Sequence, residues 1–205
     1  MVRLPFTSAG HLSDAVRAVR EAVASHGVVA LPTESSYGLA VDPWDALAVE
    51  RIFEIKGRPP EKALLVVGAS LAQLEHLVEV PPPWRERLLA AWPAPVTVVL
   101  RSPGGLAAAG GGFSLAVRVP AHELLRGLLE AVGPLTATSA NRSGGPALLR
   151  ADDVAAALGQ GVTLLLDGGA TPGGAPSTVV DLTADPPTVL RTGAWRPPAA
   201  WGVSP

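Results

Sequence analysis

The chain has 205 residues, of which 48% are hydrophobic and 17% are charged, and its formal net charge is −2. This length and apolar content suffice for one packed domain, whereas a general nucleic-acid-binding protein would carry a basic excess. The absence of cysteine excludes disulfides, thiolate metal sites and a cysteine nucleophile, and the four histidines lack the spacing of metal ligands.

Membrane and export signals are not found in the sequence. No apolar run reaches the ~18 residues that a bilayer-spanning helix needs. The segment from Met1 to Gly10 lacks the apolar core and the cleavage site of a signal peptide. We therefore expect a cytoplasmic protein without a membrane segment.

The hydrophobic periodicity predicts helices and strands that intermix along the chain. In chain order they are a helix at 11–25 capped by Ser13, strands at 28–31 and 37–41, a helix at 44–55, a strand at 63–67, a helix at 70–78 capped by Ser70, a helix at 84–92, strands at 96–100 and 115–119, a helix at 122–132, a strand at 135–138, a helix at 152–158, and strands at 162–166, 178–182 and 189–191. This order predicts an α/β (α+β) fold with one mixed, twisted open sheet flanked by helices.

Two segments rich in Gly or Pro do not show the periodicity of a helix or a strand. The Gly/Ala-rich stretch at 103–112 is typical of a mobile loop. The stretch at 196–205 is rich in Pro and Ala, and we expect a loose tail there after a domain at 1–195.

Both lysines of the chain lie in one short window, Lys56 to Lys62, together with Arg58. Three cations on a turn bracketed by Gly and Pro suit a polyanionic ligand, because each cation can meet a different phosphate oxygen. The alternative is a solvated basic turn after a helix, where cations also favour the helix C-terminus.

The strand at 115–119 places an arginine on its polar face. Its odd-numbered positions are apolar and share one face, so Ser114, Ala116 and Arg118 share the other. These residues would line a polar groove, or they would form an ordinary solvent-facing strand surface.

Polar residues also follow other predicted strands, where ligands bind in open sheets. Ser139 and Asn141 offer a hydroxyl and an amide to a nucleotide, but the same residues commonly organise turns, and Ser177 has the same two interpretations. Glu34 is either a base or a structural acceptor of backbone N–H groups. Neither a P-loop nor a G-x-S-x-G motif is present.

Seven segments in this order resemble the YrdC/Sua5 family of threonylcarbamoyl-adenylate synthases, in its short form. They are LPTE with YGL (31–39), IKGRP (55–59), WPAPVT (92–97), LAVRVP (115–120), TSANRSG (138–144), PSTVVD (176–181) and RTG (191–193).

The resemblance implies a twisted α/β fold with a large concave, cationic cavity. It implies that L-threonine, bicarbonate and ATP, with Mg²⁺, give threonylcarbamoyl-AMP and pyrophosphate. A downstream threonylcarbamoyl transferase complex would then use the product to modify adenosine 37 of tRNA. The residues implied for ATP are Lys56, Arg58, Lys62, Ser114, Asn141 and Arg191. Those implied for threonine are Ser35, Arg118, Ser139 and Ser177, with Arg118 on its carboxylate.

Departures from the family leave other functions open. Many relatives have threonine at the position of Ser35, and longer forms often have a histidine near Val67. The alternatives are an RNA-binding module, for which weak RNA binding would be a sign, an ATP-binding paralogue without threonine-dependent activity, and a carbamoyl-adenylate enzyme with another acceptor. Scarce aromatic residues (4%) and the net charge of −2 disfavour the first.

Overall fold

The computed structural model describes residues 1–57 and 63–204. Its helices are α1 (Leu12–Ala24), α2 (Ala46–Lys56), α3 (Leu71–Leu74), α4 (Pro82–Ala91), α5 (Glu123–Val132) and α6 (Ala151–Leu158). Its strands are β1 (Val2–Pro5), β2 (Val29–Pro32), β3 (Tyr37–Ala40), β4 (Val66–Val67), β5 (Val96–Arg101), β6 (Ser114–Arg118), β7 (Leu135–Thr136), β8 (Thr138–Ser139), β9 (Leu164–Asp167), β10 (Thr178–Asp181) and β11 (Thr188–Arg191).

Two mixed sheets hold these strands, so the α/β class is confirmed but the expectation of a single sheet is wrong. The first sheet has the order β1-β9-β2-β3-β8 and the second the order β11-β10-β5-β6-β4-β7. The chain passes from the second sheet to the first at Ala137, between β7 and β8. The Ala137 amide donates to the carbonyl of Leu65, while Gly38 in β3 pairs with Ser139 in β8.

The first sheet is buried on both faces, which explains the continuous apolar run in β2. Val28 and Ala30 belong to a core cluster that includes residues of α2, α4 and the second sheet. Val29 and Leu31 belong to another cluster, formed with α1 and α5. β6 keeps the predicted alternation, since its odd-numbered positions Leu115 and Val117 are fully buried.

The capping predictions have different outcomes. Ser70 caps α3 as expected, because its Oγ accepts from the Gln73 amide at 3.3 Å. Ser13 does not cap α1: the helix begins at Leu12 after a 3-10 turn at Ala9–His11, so Ser13 already lies inside it.

The expectation of a loose C-terminal tail is wrong for residues 196–204. Trp201 is 4% exposed, and its ring centroid lies 5.2 Å from that of Trp84 and 4.9 Å from that of Trp195. The Val189 amide also donates to the Ser204 carbonyl at 3.0 Å. Burying a large indole among other aromatic rings gives the segment the apolar contacts that its composition does not suggest.

The loop at 103–112 also packs against the body of the protein. Its Leu106 and Ala108 are buried, and the Ala108 amide donates to the carbonyl of Pro43. None of the helices in residues 1–57 and 63–204 combines the length and the apolar character that a membrane crossing requires.

Asp45 begins the helix that leads to the lysine window. One carboxylate oxygen accepts from the amides of Leu47 and Ala48, each at 3.1 Å, and the other lies 2.6 Å from Nδ1 of His26. Burial alone would raise the pKa of Asp45, but the hydrogen bonds from His26 and from the helix amides hold it below its ordinary value.

We expect Asp45→Ala to lower the free energy of unfolding by about 1 kcal/mol, because two amides at the start of α2 lose their acceptor. Glu50→Ala, at an exposed position of the same helix, should change it little. Since folding lowers the pKa of Asp45, its ionic contribution is present above the unfolded pKa and is lost as the pH falls through the folded pKa. Urea denaturation at neutral and acidic pH measures both effects, and equal stability of Asp45→Ala and Glu50→Ala at neutral pH would contradict the capping role.

Candidate functional site

A cavity of about 550 Å³, here called the central cavity, lies where β3, β6, β8 and β10 end or begin. Six of the ten residues predicted for substrates line it: Ser35, Arg118, Ser139, Asn141, Ser177 and Arg191. Residues far apart in the sequence therefore meet on one concave surface. The two charged residues among its described lining residues are both arginines.

The other four predicted residues lie elsewhere or cannot be placed. Arg58 and Lys62 fall outside the described residues. Ser114 is exposed and does not line the central cavity, because four residues along an extended strand separate it from Arg118 by about 13 Å. Lys56 is buried behind the cavity wall.

Arg118 is held at the back of the central cavity by burial and by one ion pair. Its side chain is 7% exposed, and Nη1 lies 3.1 Å from Oε1 of Glu34. Burial lowers the pKa of Arg118, the charge of Glu34 opposes this shift, and the charge of Arg191 adds to it. The predicted polar face of β6 faces the central cavity at Ala116 and Arg118, whereas Ser114 at the other end of the strand is exposed.

A hydroxyl-stabilised turn between β2 and β3 positions Glu34 and Ser35. Oγ1 of Thr33 donates to the Ser36 carbonyl at 2.8 Å and accepts from the amides of Ser35 and Ser36, each at 3.3 Å. The Ser35 carbonyl accepts from the Gly173 amide at 2.8 Å, which joins the turn to the segment before β10. Thr33 was not predicted as a site residue, although a Thr after a strand-ending Pro is a signal for such a turn.

Lys56 binds the segment that follows β8. Its Nζ donates to the Ser139 carbonyl at 2.5 Å and to the Asn141 carbonyl at 3.0 Å, and it lies 3.4 Å from Oδ1 of Asn141. Gly57, with φ of 59°, ends α2 in the left-handed conformation that glycine adopts readily. The described contacts give Lys56 a structural role in shaping the cavity wall, and its contact with a phosphate stays a prediction.

Asn141 organises the turn that contains it. Its Nδ2 donates to the carbonyls of Arg142 and Gly145 at 2.9 and 2.6 Å, and its Oδ1 accepts from Oγ of Ser139 at 2.5 Å. The turn interpretation of this segment is therefore confirmed. Ser139 and Asn141 also line the cavity, and their contact with a nucleotide stays a prediction.

Arg191 and Ser177 form a second polar cluster in the lining of the central cavity. Nε and Nη2 of Arg191 donate to the Ser177 carbonyl at 3.1 and 2.9 Å, and Nη2 also lies 3.1 Å from Oγ of Ser177. Partial burial lowers the pKa of Arg191. Oγ of Ser177 pairs with Oγ1 of Thr97 at 2.9 Å.

Thr97 is a site residue that the sequence analysis missed. It is 2% exposed, lines the central cavity and lies on β5 between the buried Val96 and Val98. The alternation that identified Arg118 on β6 applies equally to this strand, and the signal was therefore available.

The central cavity is equipped to bind anions. Two guanidinium groups can meet a carboxylate and a phosphate, and the hydroxyls of Ser35, Ser139 and Ser177 can fix polar groups between them. No cluster of three His, Cys, Asp or Glu side chains suited to a metal ion occurs in residues 1–57 and 63–204.

Comparison with known proteins shows which family the chain resembles. Residues 21–193 match the Sua5/YciO/YrdC family model, which is described as "Telomere recombination". The chain is 43% identical over 170 residues to the threonylcarbamoyl-AMP synthase of Pyrococcus abyssi, and this alignment covers 81% of this chain and 50% of that protein. It is 40% identical over 186 residues to the threonylcarbamoyl-AMP synthase of Chromohalobacter salexigens, covering 85% and 94%.

A solved structure extends the similarity to the fold. The crystal structure of P. abyssi Sua5 complexed with L-threonine matches with a TM-score of 0.84 at 38% identity, over 94% of this chain and 58% of that one. The chain thus spans about half of the P. abyssi protein. The match covers all seven segments on which the resemblance was based, and the chain belongs to the Sua5/YciO/YrdC family.

Proposed function

We propose that the protein makes L-threonylcarbamoyl-AMP and pyrophosphate from L-threonine, bicarbonate and ATP, as a nucleotidyltransferase that supplies N6-threonylcarbamoylation of tRNA. The observation that carries this proposal is the buried guanidinium of Arg118 at the back of a hydroxyl-lined cavity. A relative with the same fold binds L-threonine, and relatives at 40–43% identity are named threonylcarbamoyl-AMP synthases.

The two arginines of the central cavity suggest how the substrates lie. Arg118 would bind the carboxylate of threonine, with the hydroxyls of Ser35, Ser139 and Ser177 around its side chain. Arg191 would meet the phosphates of ATP, together with the cations of the lysine window. Arg191 contacts Ser177 directly, so the two substrates would be neighbours.

The proposed reaction needs positioning more than a nucleophilic residue. The amine of threonine attacks the carbon of bicarbonate, a C–N bond forms, and water leaves to give a carbamate. A carbamate oxygen then attacks the α-phosphorus of ATP and expels pyrophosphate. Bringing the carbamate and ATP together and neutralising the developing phosphate charge can supply most of the acceleration.

Magnesium and the downstream partners remain part of this proposal. We expect Mg²⁺ to arrive on the triphosphate, because Mg²⁺ commonly binds through substrate phosphates and only one or two protein carboxylates. The product would pass to a threonylcarbamoyl transferase complex in the cytoplasm. Salt-dependent RNA binding that is unaffected by ATP would favour the RNA-binding alternative.

Pyrophosphate release from ATP tests the proposed activity. We expect release to depend on both bicarbonate and L-threonine. Release that proceeds equally without L-threonine, or ATP binding without any release, would contradict it and would favour another acceptor or an ATP-binding paralogue.

Side-chain selectivity tests the hydroxyl-lined pocket. A site that hydrogen-bonds a substrate hydroxyl strongly rejects the analogue without it, so we expect kcat/KM for L-valine to lie at least about 100-fold below that for L-threonine. L-serine, which keeps the hydroxyl and lacks the methyl group, should lose about 10- to 200-fold. Equal use of valine and threonine would show that the serine hydroxyls do not recognise the side-chain hydroxyl of threonine.

Arg118→Lys tests the carboxylate contact. A guanidinium can hold a carboxylate through two parallel bonds and an ammonium cannot, so we expect the KM for threonine to rise by about tenfold or more while the KM for ATP changes little. Arg101→Lys, at an exposed position of the neighbouring strand β5, is the matched control. A raised KM for ATP with normal use of threonine would instead place Arg118 on the nucleotide.

A further inference from the structure

Glu34 lies beside Arg118 without the hydrogen bonds that a buried carboxylate normally has. Its Oε1 is 3.1 Å from Nη1 of Arg118, and the two side chains are 16% and 7% exposed. Both carboxylate oxygens of Glu34 and Nε of Arg118 are buried and have no hydrogen-bond partner within residues 1–57 and 63–204. Because an incompletely satisfied buried ion pair is costly, its presence in the wall of a binding cavity calls for a reason.

Glu34 is not required to build the turn in which it lies. The amides of Ser35 and Ser36 are bound by Oγ1 of Thr33, and in the part of the chain that the structure describes the carboxylate of Glu34 accepts from no backbone N–H group. One of the two interpretations of Glu34 from the sequence, a structural acceptor of amides, is therefore wrong. What remains is its negative charge.

That charge lies in a wall between two cavities. Thr33 lines both the central cavity and a neighbouring cavity of about 720 Å³, and Glu34 lines the neighbouring one. Burial lowers the pKa of His122 in the neighbouring cavity, and Glu34 opposes that shift, so its field extends beyond Arg118. The same field must reach a ligand that is bound to Arg118 on the other side.

We infer that Glu34 makes the Arg118 site selective for zwitterionic α-amino acids over simple carboxylates. This inference rests on the proposed function, because it takes the Arg118 site as the amino-acid site. A carboxylate on Arg118 would share one guanidinium with a second carboxylate, Glu34, and would be repelled by it. An α-ammonium next to the ligand carboxylate offsets that repulsion, so the Glu34–Arg118 pair matches the charge distribution of an amino acid.

Glu34 acts here through space and through Arg118, as a residue that determines specificity and not as a catalytic residue. Its carboxylate oxygens are closed to solvent and make no described contact with the central cavity. A residue that only held the fold together would affect all ligands of the cavity alike. The ratio of two affinities is therefore the discriminating measurement.

The experiment compares L-threonine with 3-hydroxybutyrate, which keeps the carboxylate and the hydroxyl and lacks the ammonium. Calorimetry gives both dissociation constants for the wild-type protein, for Glu34→Gln and for the control Glu123→Gln. Glu123 is an exposed acid that also lines the neighbouring cavity. We expect Glu34→Gln to reduce the preference for threonine at least about tenfold, and Glu123→Gln to leave it within twofold.

An unchanged preference in folded Glu34→Gln would overturn the inference while leaving the proposed function intact, provided that the wild-type protein shows threonine-dependent pyrophosphate release. If Glu34→Gln does not fold, the inference is tested by the ratio of the two dissociation constants in the wild-type protein and in Glu34→Asp. Equal wild-type binding of the two ligands, or a preference lost in Glu34→Asp although the charge is kept, would also overturn it. Loss of the preference in Glu34→Gln without any threonine-dependent release in the wild type would overturn the proposed activity and support the amino-acid site.

Discussion

Arg118 ends β6 with its guanidinium withdrawn from water, and a cation in such a position has to be compensated by polar groups close to it. Glu34 supplies an opposite charge on one side, but neither partner is fully hydrogen-bonded. Arg191 lies near enough to disfavour the charge further. The central cavity is therefore an environment in which a substrate carboxylate would relieve the electrostatic cost of two nearby guanidinium groups. An ammonium beside that carboxylate would offset its repulsion by Glu34.

The sequence predicted the position of Arg118 on β6 better than that of Lys56 on α2. Strand alternation identified Arg118, because a period of two is a local property. Of the two expectations for Lys56, solvation is wrong, because the residue continues the buried stripe of Val49, Ile52 and Phe53 along α2. Its contact with a phosphate stays a prediction. Its helical spacing was visible in the sequence, but a lysine on a buried face is expected only when its partners are known. Those partners, the carbonyls of Ser139 and Asn141, lie more than 80 positions away.

The other differences have the same physical origin. The predicted strand at 135–138 is divided into β7 and β8, because β7 pairs with β4 in the second sheet and β8 pairs with β3 in the first. No local sequence pattern specifies which strand a segment pairs with. The C-terminal segment has a composition typical of loose tails, and its burial depends on tertiary contacts such as the one between Trp201 and Trp84. Element types followed from periodicity, whereas sheet membership and the packing of the last residues depended on tertiary contacts.

The packed C-terminal segment bears directly on the site, because it follows Arg191, the last residue of β11, in the chain. Oγ1 of Thr178 accepts from the Gly193 amide at 3.0 Å and donates to the Trp195 carbonyl. A Cβ at position 193 would lie 2.6 Å from both the Ser177 carbonyl carbon and the Thr178 nitrogen, so glycine allows the two segments to touch. Trp201 packs on Trp195. Trp195 and Gly193 are in turn hydrogen-bonded to Thr178 at the start of β10. These contacts keep the backbone near Arg191 beside Ser177, whose carbonyl Arg191 binds. A contact made by a residue outside the cavity thus contributes to the position of one of its two cations.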